Sequence, residues 1–246
     1  MDNNSLIQLI SNWIDKYVKN LPKQPVKLVI GVSGGIDSAV TSTLCAITNL
    51  DTIVVSMPIR QNTEQHSLSI KHIEWLKSKF SNVTSHIIDL DIVFNSFENT
   101  MKKFDSELAF ANSRSRLRMV TLYQIAQSNN GIVVGTGNKV EDFGIGFYTK
   151  YGDGGVDISP IADCTKTQVW NMGRELGIIN DIIDAKPTDG LWEDSRNDED
   201  QIGLNYEQIE EAMKNPNSKY YAKYDKIRQP NLHKMKPIPI CKIKDD

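Results

Sequence analysis

A glycine-rich loop between a predicted strand and a predicted helix is the segment best suited to bind an anion. It consists of Gly31, Val32, Ser33, Gly34, Gly35, Ile36, Asp37 and Ser38. Paired glycines let main-chain N–H groups close around a phosphate without interference from Cβ atoms, and the start of the following helix adds free amides. Ser33 and Ser38 can donate further hydrogen bonds. Because phosphate would repel Asp37 unless a cation lay between them, we predict that Asp37 binds Mg²⁺, which proteins commonly hold with one or two carboxylates plus substrate phosphates.

Two common phosphate-binding motifs do not fit this loop. The P-loop requires a lysine, and this loop has none. The loop also lacks the glycine spacing of the dinucleotide fingerprint. A tight turn capped by Asp37 is the simple alternative, because glycine and aspartate are frequent in turns and helix caps. However, the ordered run Ser-Gly-Gly-x-Asp-Ser resembles the signature of the ATP pyrophosphatase family. Members of that family release pyrophosphate from ATP and leave their substrate adenylated.

The elements that must position the loop alternate between strands and helices. Short β-branched runs predict strands at residues 26–32, 53–57, 83–88 and 131–135. Helical spacing predicts helices at residues 6–18, 39–50, 67–80, 106–128, 166–176, 205–214 and 218–228. Because parallel strands need connections that travel back across the sheet, this order predicts an α/β fold with a three-layer open parallel sheet and helices on both faces. The resemblance implies the Rossmann-like, ATP pyrophosphatase type of this fold, and we expect one domain spanning residues 1–246.

Two long segments interrupt this alternation. Residues 136–160 carry six glycines among charged and aromatic residues, and such a long irregular stretch in a compact domain is commonly functional. Residues 186–201 are rich in acidic side chains and are predicted to form a second, mobile loop. We expect the glycine loop and these segments to meet at the carboxyl ends of the strands, where open α/β sheets bind ligands.

The bulk composition excludes several classes of protein. A net charge of -3 argues against a general nucleic-acid binder, which needs a clustered basic surface. No apolar stretch approaches the ~20 residues that span a bilayer, and the first residues lack the features of a secretion signal, so we expect a cytoplasmic protein that binds no membrane. Cys45, Cys164 and Cys241 lack metal-ligand spacing and are predicted to be small apolar core residues.

Three further segments resemble one group of ATP pyrophosphatases, the NAD synthetases. They are residues 112–119 (Asn-Ser-Arg-Ser-Arg-Leu-Arg-Met), 135–141 (Gly-Thr-Gly-Asn-Lys-Val-Glu) and 146–157 (Gly-Phe-Tyr-Thr-Lys-Tyr-Gly-Asp-Gly-Gly-Val-Asp). Taken alone, the first segment would fit a solvated basic helix face, the second a helix-capping turn and the third a glycine-rich surface loop. The third segment is the most specific, because its match to NAD synthetases is nearly continuous.

The resemblance implies roles for individual residues. The loop 31–38, Thr136, Lys166 and Thr188 would bind ATP, and Asp37 and Glu141 would hold Mg²⁺. Asp37, Asp153 and Lys186 would be catalytic, with Asp153 attracting or deprotonating ammonium. The deamido-NAD ligands would be Asn112, Arg116, Lys150, Asp157, His233 and Lys234. Ser115 stands where the family usually has alanine, and the spacing after Glu141 leaves open whether Asp142 shares its role. A solvated tail remains the alternative for His233 and Lys234.

The reaction implied by this resemblance is the ATP-dependent amidation of deamido-NAD by ammonia, through an adenylated intermediate, to NAD, AMP and pyrophosphate. This would be the last step of NAD biosynthesis, catalysed by a ligase. Glutamine-using relatives carry an extra nitrilase-like domain, for which 246 residues leave no space, so we expect free ammonia as the nitrogen source. The family also implies a homodimer, because its deamido-NAD site forms across two subunits.

Two other functions remain open at this point. Another ATP pyrophosphatase, such as the synthetase part of a GMP synthetase or a tRNA-modifying enzyme, would share the loop 31–38 but lack the 149–154 stretch. A nucleotide-sensing module would bind ATP without turnover. The presence of Asp37, Glu141 and Lys186 argues against a sensor.

Overall fold

Four parallel strands form one sheet in the order β3-β2-β1-β4, as seen in a computed structural model that describes residues 1–24, 26–188 and 198–243. The strands are β1 (Lys27–Gly31), β2 (Thr52–Ser56), β3 (Val83–Ile87) and β4 (Gly131–Val134). The central strand β1 pairs in parallel with β2 on one side and with β4 on the other. Since the chain passes from β1 to β2 and β3 before returning to β4, the strand order reverses between β1 and β4. Ligands commonly bind at such a point in open sheets.

Helices cover both faces of the sheet, which confirms the predicted three-layer α/β fold. The helices in the first part of the chain are α1 (Asn3–Lys19), α2 (Ile36–Ile47), α3 (Thr63–Lys79), α4 (Asp91–Thr100) and α5 (Glu107–Ser128). Those in the second part are α6 (Lys166–Glu175), α7 (Asn180–Ile183), α8 (Asp198–Ile202), α9 (Tyr206–Lys214), α10 (Tyr221–Arg228) and α11 (Leu232–Met235).

Alternation along the strands divides the core into two halves. Leu28 and Ile30 of β1 pack with α1, α2, α3, α6 and α7 on one face of the sheet. Val29 points to the opposite face, where it packs with α4 and α5. Successive side chains of a strand alternate between faces, so three consecutive apolar residues serve both layers. The sheet is therefore buried on both sides, as parallel sheets usually are.

A third, smaller cluster lies outside the two sheet layers. It combines a π-helix (Lys139–Ile145) with α8, α9 and α10, and Val140, Ile145 and Ile209 are among its fully buried members. The π-helix carries Glu141 and Asp142. This part of the glycine-rich segment 136–160 is thus supported by a core of its own.

Several sequence predictions differ from the structure in detail. Helix α4 was not predicted, because Phe94 is its buried residue while Ile92 and Val93 are exposed, which leaves no clear apolar period. Residues 136–160 were predicted to be irregular, yet they contain the π-helix. The predicted loop 186–201 ends in helix α8, and its residues 189–197 lie outside the described residues.

The cysteine prediction is confirmed for two of three residues. Cys45 and Cys164 are buried, and burial raises the pKa of the Cys45 thiol to about 12. Cys241 is exposed, so the prediction that it is a core residue is wrong. Among the described residues, no helix combines the length and apolar character needed to cross a bilayer.

A buried histidine makes the stability of the fold depend on pH. His72 of α3 is fully buried, its Nε2 atom lies 2.9 Å from Ser42 Oγ, and its ring stacks on Trp75. Burial lowers the pKa of His72 from 6.5 to about 4. Because the pKa of the folded state lies below that of the unfolded state, the contribution to stability is complete above pH 6.5. It is lost as the pH falls from 6.5 to 4.

We expect the free energy of unfolding to fall by about 3 kcal/mol more in the unaltered chain than in a His72→Gln variant between these pH values. Urea titrations at closely spaced pH values measure the difference. His86→Gln, which changes an exposed histidine, is the matched control and should keep the pH dependence of the unaltered chain. Parallel pH curves for the unaltered chain and His72→Gln would contradict this explanation.

Candidate active site

A cavity of ≈ 660 Å³ opens at the carboxyl ends of the strands, as predicted for an open α/β sheet. Its walls come from the loops that follow β1, β2 and β4, from one face of α5, and from residues 185–188. The cavity extends past β2 to Gln65 and Leu68, which the sequence analysis did not select. One continuous space thus joins the glycine loop to the glycine-rich segment 146–157.

The glycine loop has the backbone that its sequence predicts. Gly34 has a φ of +89°, and a Cβ atom there would lie 2.7 Å from the Gln65 carbonyl oxygen. The Ser33 amide donates to Ser38 Oγ, and the Gly35 amide donates to Ser33 Oγ, both at 3.2 Å. The two serine hydroxyls therefore accept from amides that are suited to bind phosphate oxygens.

Asp37 does not cap the helix that follows this loop. Helix α2 begins at Ile36, its N-cap is Gly35, and no side chain caps it. The Asp37 carboxylate is directed instead toward Lys166 and Asn138. The alternative in which this segment is merely a capped turn is therefore wrong.

A buried ammonium group joins the two predicted metal ligands. Lys166 is 2% exposed, and its Nζ atom lies 2.5 Å from Asp37 Oδ2 and 2.8 Å from Glu141 Oε1. Lys166 is the first residue of α6, where Thr165 and Gln168 form a capping box that fixes the start of the helix. The site thus brings together groups from α2, the π-helix and α6, which are far apart in the chain.

The electrostatics of this cluster follow from burial and from sharing one ammonium between two carboxylates. Burial disfavours ionisation of Glu141, but the charge and hydrogen bond of Lys166 more than offset it, so the pKa of Glu141 is lowered. For Asp37 burial prevails over Lys166, and its pKa is raised. Burial opposes the charge of Lys166 as well, yet the two carboxylates raise its pKa and keep it protonated.

Two residues that the sequence analysis did not assign to the site complete the cluster. Asn138 is fully buried, donates to Asp37 Oδ1 at 3.1 Å and accepts from the backbone amides of Val140 and Glu141. Its position before a helix start is typical of an N-cap asparagine, which could have drawn attention to it. The hydroxyl of Tyr206 lies 2.6 Å from Glu141 Oε1. Tyr206 lies on the apolar side of α9, so the sequence pattern of this helix predicts only that Tyr206 is a core residue.

The residues present fit a magnesium ion that arrives with phosphates. In the part of the chain that the structure describes, no group of three or more histidine, cysteine or acidic residues forms a metal site. Asp37 and Glu141 nevertheless both direct oxygen atoms to the ammonium of Lys166 at the cavity wall. Mg²⁺ commonly uses one or two carboxylates and takes its other ligands from phosphates and water. Asp37 and Glu141 therefore match the number of protein ligands that a magnesium ion commonly uses.

A second acidic centre lies at the other end of the cavity. Asp153 Oδ1 accepts from the Ser115 hydroxyl at 2.6 Å and from the Thr149 amide at 3.0 Å. A Cβ atom on Gly152 would lie 2.2 Å from Ser115 Oγ, so the glycine permits this approach. The alanine that the family usually has at position 115 could not donate this hydrogen bond. Burial raises the pKa of Asp153 despite the two donors.

A further buried carboxyl group, Asp142, interacts with both centres. Its pKa lies well above the ordinary value because it is buried and because Asp153, Glu141 and Asp37 are near. Lys234, whose side chain also lines the cavity, counters part of this charge. A cation in this part of the cavity would favour the ionised forms of Asp142 and Asp153.

The structure brings most of the predicted site residues to one cavity. Its walls include the whole loop 31–38 together with Asn112, Thr136, Glu141, Asp153, Lys166, Lys186, Thr188 and Lys234. Four predicted substrate ligands lie elsewhere in the structure: Arg116, Lys150, Asp157 and His233. Their predicted roles stay predictions.

The four residues outside the cavity wall have structural partners. Arg116 Nε donates to the Lys150 carbonyl oxygen at 3.2 Å, and Lys150 Nζ donates to the His233 carbonyl oxygen at 3.3 Å. These three residues thus form a connected group at the surface. Asp157 accepts from the Val133 amide at 2.7 Å and from the Tyr123 hydroxyl, and so binds the edge of β4.

Sequence comparison relates nearly the whole chain to one family. Residues 6–243 match the family described as NAD synthase. An NH(3)-dependent NAD(+) synthetase of Finegoldia magna is 35% identical over 233 residues, which cover 94% of this chain and 93% of that protein. A protein of the same name from Mesoplasma florum is 38% identical over 212 residues, or 82% of this chain and 83% of that protein.

Solved structures show the same relationship. An NMN synthetase from Francisella tularensis superposes with a TM-score of 0.90 at 31% identity, and the match covers 99% of this chain and 100% of that one. An NH3-dependent NAD synthetase from Campylobacter jejuni superposes with a TM-score of 0.80 at 24% identity, over 98% and 100% of the two chains. The latter similarity concerns the fold alone.

The close approach of Gly34 to the start of α3 gives a prediction about stability. Gly34→Ala should destabilise the fold more than Gly177→Ala, which also replaces a glycine with positive φ but has no atom within 4 Å of the new Cβ. We expect a loss of about 1 kcal/mol for Gly177→Ala and about 3 kcal/mol or more for Gly34→Ala, measured by urea unfolding. Equal losses in the two variants would contradict the tight packing of the loop.

Proposed function

Because the chain belongs to the NAD synthase family, we propose that it uses ATP to activate a carboxylate and then converts that carboxylate to an amide with ammonia. The acceptor is deamido-NAD, and the products are NAD, AMP and pyrophosphate. The chain is thus a ligase that forms a C–N bond. The observation that carries this proposal is the single cavity, which joins a phosphate-binding loop at one end to a buried aspartate at the other.

In the first step an oxygen of the acceptor carboxylate attacks the α-phosphorus of ATP. The bond from that phosphorus to the bridging oxygen breaks, and pyrophosphate leaves. The amides of residues 33–38 and the N-terminal end of α2 are placed to hold the phosphate oxygens. Lys166 and Lys186, which both line the cavity, add positive charge for the leaving group. Most of the rate enhancement then comes from positioning and electrostatics.

Asp37 and Glu141 are the side chains that would hold magnesium. When bound, the ion would offset negative charge on the triphosphate. Asn138 would orient Asp37 with or without the ion, because its side chain is fixed by the backbone of the π-helix.

In the second step ammonia attacks the acyl carbon of the adenylate, and the bond to the AMP oxygen breaks. The nitrogen of ammonia must lose one proton to form the neutral amide. Asp153 is suited to bind ammonium and to accept a proton, because burial raises its pKa toward the working pH. Ser115 and the Thr149 amide hold the carboxylate in one orientation.

A second acceptor, nicotinate mononucleotide, is favoured by one observation. The superposition on the NMN synthetase has a TM-score of 0.90, against 0.80 for the NAD synthetase from Campylobacter jejuni. The chemistry at the carboxylate would be the same, since both acceptors carry the same nicotinate group. The two functions differ only in whether a second nucleotide is attached to the acceptor.

Product analysis tests the proposal and separates the acceptors. The chain is incubated with ATP, magnesium and ammonium chloride, together with deamido-NAD or nicotinate mononucleotide, and the products are separated by chromatography. We expect equal amounts of AMP and NAD with the first acceptor, and a kcat lowered about 100-fold or more in Asp37→Asn. Asp163→Asn, which changes an exposed aspartate, is the matched control.

Each other outcome of this experiment has a defined meaning. Amidation of the mononucleotide alone would assign the second function. AMP without an amide from either acceptor would favour another ATP pyrophosphatase. ATP binding without AMP formation would favour a nucleotide sensor.

We also propose that the chain acts as a homodimer through the outer face of α4 and α5. Large apolar side chains are exposed on α4, on α5 and in the turn between them: Ile92, Val93, Phe97, Phe104, Leu108 and Val120. Exposed apolar surface often marks a protein interface. Leu108 also lines the cavity, so a second subunit on this face would lie next to the substrate. The surface group formed by Arg116, Lys150 and His233 could then contribute across the interface.

The interface is tested by introducing a charge into it. We expect Val120→Glu to convert the dimer to a monomer, because an ionised carboxylate would be buried without a partner. Sedimentation velocity measures the change. Leu9→Glu replaces an exposed leucine of α1, on the opposite side of the sheet, and should leave the dimer intact. Loss of the dimer in both variants, or in neither, would contradict this assignment.

The cytoplasm is the compartment we propose for this activity. The two buried cysteines are free thiols. Free thiols are typical of proteins that work in a reducing compartment.

A further inference from the structure

We propose that Tyr206 is a positioning residue, which holds Glu141 and Lys166 in place and allows Lys166 to move to the triphosphate of ATP. This inference rests on the proposed function, because it assumes that Lys166 binds a phosphate group. Tyr206 lies 65 positions from Glu141 in the sequence and belongs to the third core cluster. Its role therefore follows from the fold and not from a local motif.

The aromatic ring of Tyr206 forms one wall around the ammonium group. Lys166 Nζ lies 5.0 Å from the centre of the Tyr206 ring and 5.9 Å from that of Trp170. The two rings meet edge to face at 5.5 Å and 87°, so each fixes the orientation of the other. Asp37 and Glu141 close the remaining sides of the ammonium. Cation–π contacts of this kind gain strength when the cation is shielded from water.

The hydroxyl of Tyr206 reaches the same carboxylate oxygen as Lys166. Glu141 Oε1 lies 2.6 Å from Tyr206 Oη and 2.8 Å from Lys166 Nζ. Tyr206 Oη also lies 3.2 Å from Asp198 Oδ2. A hydroxyl has one proton to donate, and the shorter distance identifies Glu141 as its acceptor.

This shared oxygen determines what happens when Lys166 turns toward a phosphate. Glu141 is largely buried, and a buried carboxylate that loses its partner is strongly destabilised. With Tyr206 in place, Glu141 keeps one hydrogen bond after the ammonium has moved. Without the hydroxyl, Glu141 would retain Lys166 more tightly, and the phosphate would compete less well for it.

The test measures ATP binding without a metal, so that the role of Lys166 is isolated. Calorimetry with ATP in the presence of EDTA is performed on the unaltered chain, on Tyr206→Phe and on Tyr224→Phe. We expect Tyr206→Phe to weaken ATP binding about tenfold, because a hydrogen bond to a charged group is lost. Tyr224→Phe is the matched control. It removes the hydroxyl of another buried tyrosine in the same cluster, one that contacts Arg228 instead, and it should not change the affinity.

A double-mutant cycle with Lys166→Gln distinguishes positioning from a general effect on the fold. If Tyr206 acts through the ion cluster, Tyr206→Phe should change the affinity by less than about twofold once Lys166 is replaced. Thermal unfolding of each variant shows that the fold is retained. An unchanged affinity in Tyr206→Phe, an equal loss in Tyr224→Phe, or a full tenfold loss in the Lys166→Gln background would each overturn the proposal.

The same samples separate this proposal from the proposed function. Failure of amidation by an unaltered chain that binds ATP would overturn the proposed function alone. Binding of ATP by the unaltered chain only in the presence of magnesium would overturn this inference alone, whereas no binding with or without magnesium would overturn both.

Discussion

The site depends on one buried ammonium group that is shared by two carboxylates. Taking Lys166 out of water is costly unless both charge and hydrogen bonds compensate, and Asp37 and Glu141 supply both. The three groups come from the first turn of α2, the π-helix after β4 and the first turn of α6. The ion cluster can form only when these elements are correctly assembled. The geometry of the glycine loop and Lys166 therefore depends on the complete fold.

The π-helix explains how two neighbouring carboxylates serve different purposes. Asn138 caps this helix and contacts Asp37, which ties the start of the segment to the glycine loop. Glu141 then reaches the ammonium, while Asp142 lies among like charges nearer Asp153. Single turns of π-helix are rare and occur frequently at functional sites. Here the turn supports acidic side chains that lie between the glycine loop and Asp153.

Much of the fold was predictable, because the strands are short β-branched runs and most helices have a clear apolar side. Helix α4 was not, since its exposed Ile92 and Val93 obscure the period. For the site, the loop 31–38 and Glu141 were predicted from motifs that follow strands, and Lys166 from the family resemblance. Tyr206 was not, because a contact across 65 positions leaves no local signal. Nor could the sequence reveal that Ser115 donates to Asp153, a bond that depends on the close approach of Gly152.

The separate packing of the third cluster has a consequence for how ligands act on the whole chain. Asp37 lies on α2, which packs in the first core, whereas Glu141 lies on the π-helix, which packs with Tyr206 in a core of fewer buried residues. Small cores open more readily than large ones, and openings of part of a structure expose it to proteases. A molecule that touches both carboxylates connects the two cores and favours the closed state by mass action. Occupancy of the site would thus protect the third cluster, formed by the π-helix with α8, α9 and α10, from proteolysis.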